Sequence, residues 1–136
     1  MNFESGQRLN SGKAFSFSAR IDSFRCAFSG IASLIRSEHN AWIHGTATVL
    51  AVVLGLVFGI SREEWLAIVL AIALVWVTEA MNTAFEALCD AVSPEHDLGI
   101  KKAKDVAAGA VLLSALGALG VGLLVFVPRL LAWIGG

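Results

Sequence analysis

In the stretch "TEAMNTAFEALCDAV", Thr78 to Val92, four polar side chains recur at helical spacing among apolar ones. At about 100° per residue, Asn82 lies at roughly 300°, Glu86 at roughly 340° and Asp90 at roughly 20° relative to Glu79. The other faces carry Ala80, Met81, Ala84, Phe85, Leu88 and Cys89. One polar seam therefore runs down an otherwise apolar helix. Its three carboxylates repel one another unless protons, cations or positive side chains meet them. The stretch follows directly on "WLAIVLAIALVWV", which reads as lipid-embedded. Charge in that setting is costly, and it usually has a task.

Carboxylate oxygens favour a hard cation such as Mg²⁺, held by one or two carboxylates and completed by water and substrate phosphate. Glu38, ahead of an apolar run, and the pair Lys104 and Asp105, ahead of another, are placed to reach the depth of Glu86. Carboxylates for a metal, a lysine for phosphate and a deeper carboxylate to take a proton are the parts that phosphoryl transfer requires. Glu79 is the deepest acid and the general-base candidate, since a partly desolvated carboxylate accepts a proton more readily. A lipid alcohol could reach it from the bilayer, while a nucleotide approached from water. No GxxxxGK[ST] or GxGxxG loop occurs, so the site would be neither a P-loop nor a protein-kinase fold. Spacing alone leaves other readings open: a proton or cation pathway, polar residues that glue helices together, or a helper subunit without chemistry. Single residues have plainer readings too. Asp90 could pair with Lys101 or Lys102, Asn82 could be an interhelical donor, His44 a packing contact and His96 a solvated loop residue.

The elements that hold these residues follow from composition. Of 136 residues, 57% are hydrophobic and 15% charged, which describes one polytopic membrane domain. Residues 1–19 read as a flexible polar tail and 20–136 as the membrane domain. From Arg20, Ile21, Phe24, Phe28, Ile31, Leu34 and Ile35 recur at spacings of three and four, predicting an amphipathic interfacial helix over about 20–37. Packing on a protein core is the alternative. Apolar runs at about 41–60, 65–87 and 106–134 each suffice for a transmembrane helix. Ser61 is placed to cap the second, with Glu63 and Glu64 in its first turn, while Pro94 and Gly99 mark a break before a short polar lead-in to the third. The third run is rich in Gly and Ala, suited to close helix approach, and three helices alone suggest a homo-oligomer.

Arg8, Lys13, Arg20, Arg25 and Arg36 precede the first span, and Lys101, Lys102 and Lys104 lie between the second and third. Only Arg62 and Arg129 lie on the other side. The N-terminus is thus expected in the cytoplasm and the C-terminus outside. No cleavable signal peptide is expected. A net charge of -1 gives no reason to propose nucleic acid as a partner, and Cys26 and Cys89 show neither zinc nor disulfide spacing.

"EAMNTAFEALCD" followed by "AKDVAAGAVLL" closely resembles the bacterial integral-membrane diacylglycerol kinase and undecaprenol kinase family, whose signature reads ExxNxAxExxxD and then a KD pair. The resemblance runs from about Phe24 to Leu131. It implies an ATP- and Mg²⁺-dependent kinase of a membrane lipid alcohol, all-α and homotrimeric, in the bacterial cytoplasmic membrane with composite sites at the cytoplasmic face. It puts Glu79 on the catalytic base and Asn82 on the polar residue a turn beyond. Glu38 and Glu86 fall on Mg²⁺ ligands, and Lys104 and Asp105 on the nucleotide-binding pair. Asp90 and the loop around Glu95 and His96 lie where the nucleotide is held. Cys26 and Ser29 depart from the aromatic and basic residues that diacylglycerol kinases tend to carry there. "SPEH" and "AKDVAAGAVLLSA" look more like the undecaprenol kinase branch.

Overall fold

A computed structural model of the chain describes residues 16–92 and 97–135. They form four helices: α1 (Phe17–Ser37), α2 (His39–Phe58), α3 (Arg62–Val92) and α4 (Leu98–Gly135). The last three are long and apolar enough to cross a membrane.

Helix α1 starts where Ser16 accepts a hydrogen bond from the Ala19 amide, so Phe17–Ala19 belong to the helix and not to the tail that their polar neighbours suggested. Its stripe of Phe17, Ile21, Phe24, Phe28, Ile31 and Ile35 is exposed, and only Leu34 is buried. Among the described residues no protein core covers the stripe, which fits a helix lying in the membrane interface. The chain then breaks at one residue. Glu38 is extended (φ -100, ψ 121), its amide closes α1 onto Leu34, and its carboxylate makes no capping bond at the start of α2.

The turn from α2 to α3 is built by local chemistry. Gly59 takes the left-handed conformation (φ 57), its amide bonding to Leu56 and that of Ile60 to Gly55, the paired bonds of a Schellman motif. Two residues on, the Ser61 amide donates to Glu64 Oε2 (2.7 Å) and the Glu64 amide to Ser61 Oγ (3.3 Å), a capping box that starts α3. Ile60 folds inward to join Ile68 and Val125 in the apolar cluster at this end.

Helices α3 and α4, of 31 and 38 residues, are roughly 46 and 57 Å long, well beyond the hydrocarbon thickness of about 30 Å. Their polar halves continue the apolar spans as unbroken helix. Gly99 does not mark a break: Asp97 Oδ1 accepts from the amides of Gly99 (2.7 Å) and Ile100 (3.0 Å), so α4 begins at Leu98 with Gly99 in its first turn. Three polar pairs fix the antiparallel register of α3 on α4. Arg129 grips Glu64 with two nitrogens (2.6 and 2.5 Å), Thr78 Oγ1 meets Ser114 Oγ (2.7 Å), and Lys104 Nζ meets Asp90 Oδ1 (2.5 Å). Each step forward along α3 is matched by a step back along α4.

Candidate active site

The seam foreseen on Thr78–Val92 lies on one continuous helix, and depth separates its members. Glu79 is 1% exposed and Asn82 is also buried, whereas Glu86 is half-buried and Asp90 exposed. Position 79 is covered because α2 packs across α3 at this level. Thr48 Oγ1 donates to the His44 carbonyl (2.7 Å) and accepts from the Trp76 indole nitrogen (3.1 Å), clipping the two helices together. That clip sets His44 Nε2 at 3.5 Å from Glu79 Oε2.

Two of the acids named from the sequence lie within electrostatic reach of Glu79. Glu38, at the junction of α1 and α2, and Glu86, two turns along α3, both act electrostatically on Glu79. Asn82 Nδ2 donates to Glu86 Oε1 (3.0 Å), holding that carboxylate in place, while Asn82 Oδ1 is buried without a hydrogen-bond partner among the described residues. One turn beyond Glu86, Lys104 reaches from α4 to Asp90 and lies within electrostatic reach of Glu86. Asp90 thus pairs with Lys104, not with Lys101 or Lys102. Asp105 is exposed at the next position of α4. Glu95 and His96 lie outside the described residues. The arrangement grades from a buried proton acceptor, through a half-buried carboxylate, to an exposed ion pair.

The sequence left the partner of one residue unnamed. His44 reads there as a packing contact, and the contact it makes is with the deepest acid of the site. Spacing within "AWIHGTA" carries no signal for this, because the partner lies on another helix.

Three apolar helices with acids and a lysine gathered toward one end define a multi-pass membrane protein with a polar site inside its bundle. The chain belongs to the prokaryotic diacylglycerol kinase family, whose description, Prokaryotic diacylglycerol kinase, matches residues 25–126. It is 37% identical over 108 residues to a protein named undecaprenol kinase from Bacillus subtilis, an overlap covering 79% of this chain and 88% of that one. It is 34% identical over 112 residues to a protein named diacylglycerol kinase from Synechocystis sp., covering 81% of this chain and 63% of that one. The chain is accordingly a lipid kinase, as its sequence signature implied.

Proposed function

We propose that the chain transfers the γ-phosphoryl group of Mg·ATP to the hydroxyl of a membrane lipid alcohol, with Glu79 as general base. The observation that carries this reading is the burial of Glu79, at the inner end of a seam whose outer end offers Lys104. An acceptor hydroxyl approaching from the bilayer gives its proton to Glu79 as its oxygen bonds to the γ-phosphorus. The bond from that phosphorus to the bridging oxygen breaks, and ADP leaves toward water. Lys104 would hold phosphate oxygens, helped by the neighbouring Asp105, and Asp90 would orient Lys104. Among the described residues no group of three or more His, Cys, Asp or Glu side chains gathers closely enough to hold a metal. Two carboxylates, Glu38 and Glu86, nonetheless suit Mg²⁺, which keeps its other positions for water and phosphate. Bound there, the ion would neutralise developing phosphate charge.

Undecaprenol is the preferred acceptor in this reading and diacylglycerol the second. The higher identity and fuller overlap with the undecaprenol kinase support that order. A proton or cation pathway is not favoured, because Val75, Ile68, Ile60 and Val125 fill the interior between Glu79 and the Gly59 turn with apolar side chains. The bias of Lys and Arg supports a cytoplasmic N-terminus and an active site at that face. Assembly as a homotrimer in the bacterial inner membrane completes the reading, with the exposed apolar span surfaces left to lipid or to other chains.

The test uses purified protein in mixed micelles with labelled ATP. Phosphate should pass to undecaprenol faster than to diacylglycerol or ceramide, and Glu79→Gln should lose at least about 100-fold in turnover. Native turnover in that variant would remove Glu79 as the base.

A further inference from the structure

His44 stands on α2 with its side chain 14% exposed, and its Nε2 lies 3.5 Å from Oε2 of the nearly inaccessible Glu79. Neither atom has a hydrogen-bond partner among the described residues. Leaving a buried donor and a buried acceptor unmade is costly, and a shift of about 0.5 Å joins them at ordinary hydrogen-bond length. Catalytic hydrogen bonds are often this long before substrate arrives. The other ionisable groups acting on Glu79 are acids, Glu38 from the α1–α2 junction and Glu86 from α3 itself. From α4, the neutral Ser114 bonds to Thr78 Oγ1 and to the Val111 carbonyl. Among these groups His44 alone can donate to the Glu79 carboxylate. The Thr48 clip fixes the level of its backbone against α3.

We propose that His44 is a positioning residue for phosphoryl transfer: its Nε2–H donates to Glu79 Oε2 and so aims Oε1 at the acceptor hydroxyl. This rests on Glu79 being the general base. His44 keeps its own proton throughout, and the proton of the alcohol goes to the free oxygen of Glu79. Two flanking acids would otherwise push that carboxylate toward whichever rotamer separates the charges best. A base misplaced by about 1 Å can lose on the order of 100-fold in rate.

The experiment compares the full chain with Glu79→Gln, His44→Phe, His44→Gln, His44→Asn and the double variant His44→Phe/Glu79→Gln in lipid-kinase assays, with thermal melts in detergent alongside. His44→Phe should lower kcat by about 10- to 100-fold while KM for ATP stays within about twofold. His44→Gln, whose amide nitrogen reaches as far as Nε2, should recover at least about tenfold of that loss. The double variant should be no slower than Glu79→Gln alone. If His44→Phe unfolds below the assay temperature, His44→Gln against His44→Asn carries the same comparison, because the shorter asparagine amide does not reach Glu79. Native kcat in a folded His44→Phe, with Glu79→Gln inactive, overturns the role of His44 and leaves the base standing. Native kcat in Glu79→Gln overturns the base and this inference with it. Glutamine no better than phenylalanine, or than asparagine in the alternative comparison, overturns the donor role, and losses that multiply in the double variant overturn action through Glu79.

Discussion

A carboxylate 1% exposed inside a membrane bundle must be covered by something, and the cover over Glu79 is α2 with His44. Farther out, Asp90 and Lys104 share an exposed pair that a nucleotide phosphate could enter. Charge-assisted bonds to phosphate weaken sharply when the cation is removed. Lys104→Met should therefore raise KM for ATP by about tenfold or more and change KM for the lipid little, which initial-rate kinetics varying each substrate in turn would show. An unchanged KM for ATP would remove Lys104 from the nucleotide site. At this scale the sequence was legible wherever partners share a helix. Glu79, Asn82, Glu86 and Asp90 fall on one seam by the 3.6-residue period alone. The partners on other helices were not: His44 for Glu79, and Lys104 over Lys101 and Lys102 for Asp90, depend on the register in which helices pack.

Among the elements, the α2–α3 turn leaves little room for added atoms. Gly59 is left-handed, and a Cβ on Gly55 would meet the Trp65 ring at 2.7 Å. Gly59→Ala should cost ~1 kcal/mol through backbone strain alone. Gly55→Ala should cost about 1–3 kcal/mol, because the indole must move or the helices part. Thermal unfolding in one detergent would rank the two, and a Gly55→Ala melt equal to the native one would mean that Trp65 has room to turn. The existence and type of all four helices could be read from apolar periodicity and run length. Their ends could not always be. Glycine outside a span suggests a break, yet at Gly99 the Asp97 carboxylate caps the helix and the glycine simply continues it. At the other end of α3, Ser61 and Glu64 cap where their types and spacing promised, because a capping box is complete within four residues.

Taken whole, the molecule is open. Leu50, Val53, Leu56, Val57, Leu113 and Leu124 are exposed along the spans. Among the described residues, a Cβ on Gly109, Gly117, Gly120 or Gly122 would meet nothing within 4 Å, so at those points the small residues of α4 bring none of the four helices close. A homotrimer would place other chains there, and light scattering of the purified protein should give three chains per particle; a monomer with full activity would refute composite sites. Orientation has its own test in the thiols. Cys26 is exposed on α1 and Cys89 is 8% exposed. A membrane-impermeant maleimide should label Cys26 in inside-out vesicles and spare it in right-side-out ones. The reverse would invert the topology drawn from Lys and Arg.

Of the four tryptophans, Trp42 and Trp133 face outward and Trp65 lies at the Gly59 end. Trp76 lies three residues before Glu79 on α3, with its indole nitrogen bound to Thr48 across the α2–α3 seam. Any motion that parts those helices to admit a substrate must break that bond and change the polarity around the ring. The protein thus carries its own optical probe: with the other three replaced by phenylalanine, the emission maximum of Trp76 would follow the opening and closing of the site in real time.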